Sequence, residues 1–221
     1  MTFLLPLAGL TALSNWILVA QGRQKGDLLT KPAVILLLMA AAALEGARSP
    51  GTLWLMLALV FSLAGDVLLL LPEKFFLSGL GSFLAAHIAY IIAFTQGISE
   101  CHGPWIPAGL GIVILSSLFY ARLFRALRKN GNNSYLIPTL LYTIAITAML
   151  LSAASTLVRP GWDIRSALLL TLGGLLFYLS DALLAWHRFI TPLAHRDVKV
   201  RVTYHAAQIC LVWGALLHSA P

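Results

Sequence analysis

Charge is scarce in this chain. Asp, Glu, Lys and Arg together make up 10% of its 221 residues, and the acids number only eight. Soluble domains carry about 25% charged residues, so a water-soluble globular fold is excluded. Cysteine is nearly absent as well. Cys101 and Cys210 are the only two, which rules out a disulfide framework, and their spacing matches no cysteine metal motif. No linker, low-complexity tract or internal repeat interrupts the sequence. A basic region ahead of the first apolar run is also missing, so that run is expected to be a span and not a cleaved leader.

What is present is apolar. Hydrophobic residues make up 59% of the chain and the mean hydropathy is +0.87. A membrane-crossing helix needs about 20 mostly apolar residues. Apolar runs predict helices over residues 3–20, 32–47, 52–71, 76–97, 105–121, 134–152, 165–186 and 202–218. The reading is an all-α polytopic membrane bundle of eight transmembrane helices, a single domain over residues 1–221.

The net charge of +7 does not indicate nucleic acid, because the basic residues fall in short connections between spans. Twelve of the 15 Lys and Arg follow the first, third, fifth and seventh runs; the others are Arg48, Arg159 and Arg165. The positive-inside rule makes the side with twelve cytoplasmic and puts both termini on the non-cytoplasmic side. The run 122-RLFRALRK-129 reads as part of this topology signal.

Ionisable residues inside spans are costly, by at least about 2.5–3.5 kcal/mol at mid-helix, and usually mark function. Asp66 lies in 61-FSLAGDVLLL-70 and Asp181 in 176-LFYLSDALLA-185. Each is read as about five residues from the inner end of its helix, roughly 8 Å deep at 1.5 Å per residue. One cavity could then serve both carboxyls. Asn15, Lys31 at the opening of span two, Tyr178, Tyr204, His205 and Gln208 are placed in the same half. His87 and Tyr90 sit one turn apart on span four, and Tyr142 near the middle of span six. Lys31 is read either as a partner of Asp66 or as a phosphate contact. This distribution predicts a polar cavity opening toward the cytoplasmic leaflet.

At these residues the chain resembles the lysoplasmalogenase, or YhhN-like, family. The similar pieces are 31-KP-32, 61-FSLAGDVLLL-70, 79-GLGSFLAAHIAY-90, Tyr142, 173-GGLLFYLSDALLA-185 and 204-YHAAQ-208. The family pattern often has a second aromatic where His205 stands. The resemblance implies an eight-helix hydrolase of the cytoplasmic (inner) membrane of a bacterium. Its substrate would be a lysoplasmalogen, a lysophospholipid whose vinyl ether is cleaved to a fatty aldehyde and a glycerophospho-base. By that likeness Asp66 and Asp181 are the catalytic pair, His87, Tyr90, Tyr142 and Gln208 line the site, and Lys31 lies near its mouth. Membrane lipids are the surroundings, and no metal or other cofactor is expected.

The chemistry suits such residues. Protonating the β carbon of a vinyl ether leaves an oxocarbenium ion for water to capture, a state that glycosidases manage with two carboxyl groups. Two other classes compete. A metal-dependent lipid hydrolase could draw on Asp66, His87, Asp181 and His205, although no two histidines share a ligand spacing. A proton-coupled transporter would also bury acids, but repeats and broken helices are missing.

Overall fold

The computed structural model describes residues 3–46, 49–96 and 105–219. Arg48, Cys101 and His102 lie outside them. The described residues form eight α-helices and no strand: α1 Leu4–Ala20, α2 Gln24–Glu45, α3 Pro50–Leu70, α4 Phe76–Thr95, α5 Trp105–Lys129, α6 Leu136–Ser155, α7 Ile164–Phe189 and α8 Arg196–Ser219. Seven of these, α2 to α8, are long and apolar enough to cross a membrane. α1 is apolar but shorter, at 17 residues.

Local sequence starts and stops these helices. Ser49 caps α3 by accepting the Thr52 N–H at 3.2 Å, with Pro50 in the first turn, where its missing N–H costs nothing. Asp163 caps α7 by accepting from Arg165 N at 2.9 Å and Ser166 N at 3.2 Å. Within the helices, Thr139, Thr143, Thr147 and Thr171 donate to carbonyls four residues back. That satisfies their hydroxyls where no water is available.

The helices run past the apolar stretches, mostly at one end of the bundle. α2 begins at Gln24, so Lys31 sits two turns inside it and does not open it. α5 continues through the basic run to Lys129. There Leu123 and Leu127 are buried and pack with Phe76 and Phe189 in a small cluster of their own. α7 runs on to Phe189, leaving Asp181 eight residues from its end and Asp66 four from the end of α3. α8 starts at Arg196. A hydropathy reading stops where side chains turn polar; the backbone does not, because those polar groups find partners.

Neighbours in sequence pack as hairpins, α1 on α2, α3 on α4 and α7 on α8, with α8 also touching α1 and α2, and α6 touching α4 and α7. Small residues set the close approaches. A Cβ on Gly65 would stand 2.6 Å from the Phe83 ring. A Cβ on Gly173 would stand 2.8 Å from Leu211 Cγ and 3.0 Å from the Ala207 carbonyl oxygen. At the opposite end from the polar network, buried Arg159 donates to the Phe94 carbonyl and to Ser155 Oγ, tying the ends of α4 and α6.

Gly173→Val is expected to overpack the α7–α8 contact and cost about 1–3 kcal/mol. Thermal unfolding in detergent measures it. Gly81→Ala is the control, since a Cβ there meets nothing within 4 Å, and it should unfold close to the parent.

Candidate functional site

Asp66 is fully buried. The Lys31 ammonium lies 2.8 Å from its Oδ1, and Lys31 is itself only 3% exposed. On the other oxygen, Tyr204 donates its hydroxyl to Oδ2 at 2.9 Å. Of the two readings open for Lys31, the geometry takes the ion pair with Asp66. The side chain is inside the bundle and not at a mouth.

A chain of side-chain hydrogen bonds leads on from there. Gln208 Nε2 donates to Ser62 Oγ at 3.0 Å and approaches the Tyr204 hydroxyl at 3.4 Å. The Tyr90 hydroxyl donates to Gln208 Oε1 at 2.5 Å. Ser62, one turn before Asp66, therefore serves Gln208. Asn15 belongs to an adjoining cluster: its Nδ2 donates to Asp27 Oδ1 at 3.0 Å and to Thr30 Oγ1 at 2.8 Å. Arg201 closes on Asp27 through two nitrogens, at 3.1 and 2.8 Å. His205 Nδ1 accepts the Trp16 indole N–H at 3.2 Å, joining α8 to α1.

Asp181 has other partners. The Tyr142 hydroxyl donates to its Oδ2 at 2.5 Å. His87 Nε2 lies 3.1 Å from that hydroxyl and 3.4 Å from the carboxylate oxygen. A hydroxyl has one proton, and Tyr142 gives it to Asp181, so His87 contributes its Nε2–H to the triangle. His87 Nδ1 is buried with no hydrogen-bond partner among the described residues.

Asp66 and Asp181 thus occupy two polar clusters, and no hydrogen bond or ion pair among the described residues joins them directly. Phe177, one turn before Asp181 and fully buried, packs its ring between the clusters, with centroids 4.8 Å from His87 and 5.5 Å from Tyr204. The one cavity expected to serve both carboxyls is lined by Asp181 and not by Asp66.

That cavity has a volume of about 50 Å³ and is walled by α4, α5, α6 and α7. Tyr142 and Tyr178 line it beside Asp181, and the remaining wall is almost entirely apolar, with Phe76, Leu80, Phe119 and Ile146. Thr143 is shared with a second, mostly apolar groove of about 390 Å³ between α5 and α6. Asp181 is the cluster's accessible member, at 16% exposure, against none for His87.

Of the residues singled out from sequence, Lys31, Asp66, Tyr90, Tyr204 and Gln208 form one network, while Tyr142, Tyr178 and Asp181 line the cavity and His87 stands behind Tyr142 and Asp181. Asn15 joins the Asp27–Arg201 cluster. Sequence reading missed that Asp27–Arg201 pair, because both residues fall outside the apolar runs and looked like loop charges. It also missed Phe177, a phenylalanine among many. Among the described residues no three His, Cys, Asp or Glu side chains gather as a metal site, which leaves the zinc reading without a ligand set.

Fold and site together define a polytopic helical membrane protein with buried acids and an acid-lined apolar cavity. Within that class, the chain belongs to the YhhN family, which it matches over residues 26–215. Among curated proteins it is 33% identical to lysoplasmalogenase TMEM86B of Homo sapiens over 74% of this chain and 64% of that protein. It is 30% identical to lysoplasmalogenase TMEM86B of Mus musculus, over 91% and 80%. Identity with a lysoplasmalogenase of Mycobacterium bovis is 28%, over 82% and 67%. The matched stretch spans a little under two thirds of the human relative and 59% of the Sus scrofa one. No solved structure matches.

Removing one charge of the buried pair should cost more than removing both. Lys31→Met leaves Asp66 uncompensated and is expected to lose about 3–5 kcal/mol. The double variant Lys31→Met with Asp66→Leu should recover much of that loss. Unfolding in detergent, compared across the parent, single and double variants, measures the difference.

Proposed function

We propose that this protein is a membrane hydrolase that cleaves the vinyl ether bond of lysoplasmalogens, releasing a fatty aldehyde and glycerophosphoethanolamine or glycerophosphocholine. The observation that carries the reading is Asp181, held by Tyr142 and His87 at the wall of an apolar cavity inside a helical membrane protein. The relatives' name, lysoplasmalogenase, supports the same chemistry. A transporter has no counterpart among these relatives.

The two aspartates divide the work. Asp181 touches the substrate. Among the described residues its carboxyl has no lysine or arginine beside it, and it protonates the β carbon of the vinyl ether. The resulting oxocarbenium ion is captured at its α carbon by water, which loses a proton to the Asp181 carboxylate. The hemiacetal then collapses to aldehyde and alcohol. Tyr142 and His87 hold the carboxyl in place. Asp66 is tied to Lys31. It orients Tyr204, Gln208 and Tyr90 behind the cavity and acts through them. Tyr178 lines the cavity where the alkenyl chain enters.

The protein crosses the bacterial inner membrane eight times, α1 included, with both termini on the non-cytoplasmic side. The cavity opens toward the cytoplasmic leaflet, where a single-chain amphiphile can enter sideways from the lipid.

The experiment is aldehyde release from a lysoplasmalogen by the purified protein. Asp181→Asn should lower turnover by roughly 10²–10⁴-fold, the usual contribution of a positioned acid, while its unfolding matches the parent. Asp66→Asn should lose activity together with stability, because Lys31 is left unpaired. Parental turnover in Asp181→Asn would overturn the mechanism.

A further inference from the structure

A polar recess of about 380 Å³ adjoins the Asp181 cavity at the end of α7 and shares Leu184 and Phe189 with it. Arg188, His187, Arg196, Asn132 and Glu73 line the recess. Resting on the lysolipid reading, we propose that this recess binds the substrate's phosphate and that Arg188 is its anchor.

Three observations support this. The first is position. Arg188 follows Asp181 by seven residues, within about 20° of two full helical turns, so both side chains leave the same face of α7 roughly 10 Å apart along its axis. A glycerophosphate reaches back from an arginine at that spacing to put its first ether oxygen near the carboxyl.

The second is the state of the arginine. Its guanidinium stacks 3.7 Å above the centroid of Phe76, a wall residue of the Asp181 cavity. The planar fork is therefore fixed at the rim. It holds Glu73 through one nitrogen at 2.7 Å, and Glu73 is 80% exposed. An exposed pair of this kind is weak, whereas a phosphate can engage two guanidinium nitrogens at once. Glu73 yields to the phosphate and turns into water.

The third is continuity. Polar recess, Asp181 cavity and apolar α5–α6 groove follow one another through shared wall residues: Leu184 and Phe189, then Thr143. That order of polar, reactive and apolar surfaces is the order of phosphate, vinyl ether and hydrocarbon tail in the lysolipid. Lys31, read from sequence as either a phosphate contact or a partner of Asp66, is committed to Asp66.

The test reads binding, not turnover, so it stands apart from the aldehyde assay. Its probes are a saturated-ether lysophosphoethanolamine, which cannot be hydrolysed, and the matching phosphate-free alkyl glycerol. Both are titrated against purified protein in detergent. Arg188→Gln should weaken the lysophospholipid about tenfold and leave the alkyl glycerol unchanged. Arg188→Lys should fall between, and Glu73→Gln should bind at least as tightly as the parent. Unchanged binding of both probes by Arg188→Gln overturns the proposal. Equal loss of both overturns it too, because the arginine would then serve the fold. Competition by diacyl phosphatidylethanolamine as strong as by the lysolipid also overturns it, since the recess would be a bilayer headgroup contact.

Discussion

Asp66 and Lys31 are buried against each other on adjacent helices, inside a bundle whose outer face is lined with exposed leucine and isoleucine. Neither charge has water to fall back on, so each is tolerable only while the other is in place. The requirement fixes the register of α2 on α3. It reaches α8 through Tyr204, which donates to the same carboxylate, and α4 through Gln208 and Tyr90. Four helices are thereby aligned by one ion pair and its hydrogen bonds, which apolar packing alone, being non-directional, would not specify. Asp27 and Arg201 repeat the device closer to the end of the bundle and bring in α1 through Asn15.

Against that rigid frame the Asp181 cluster is set differently. Its carboxyl is held by a tyrosine and a histidine and, among the described residues, by no lysine or arginine, and it faces a cavity. The contrast separates a carboxylate committed to an ion pair between helices from one that faces a cavity. Phe177, wedged between them, keeps the clusters apart while α7 carries both Phe177 and Asp181 in register. The single shared cavity expected for the two acids gives way to this arrangement because a helix offers different neighbours to residues on different faces.

Much of the fold was legible in the apolar runs. All eight helices lie where hydropathy put them, since lipid exposure demands the same apolar composition that the window detects. The errors gather at helix ends. α2 starts eight residues earlier than its apolar run because Asp27, Thr30 and Lys31 turn inward and find partners, and α5 extends because Leu123 and Leu127 keep an apolar stripe beneath exposed arginines. The candidate residues were legible too, because an aspartate, histidine or glutamine in a membrane run is conspicuous. Their pairing was not, for it depends on which helices touch. His205 illustrates the limit: its partner is Trp16, 189 residues away.

Sequence alone determined that the chain is a helical membrane bundle, which residues its interior has to accommodate, and which half of the bundle holds most of them. Those properties follow from composition and spacing, which act locally along the chain. Only the tertiary structure decided that Lys31 neutralises Asp66, that Tyr142 and His87 attend Asp181, and that Asp181 alone opens on the cavity. Those facts are set by the rotation and depth of each helix against its neighbours, fixed by contacts such as Gly65 on Phe83 and Gly173 on Leu211. No periodicity within a single helix encodes them.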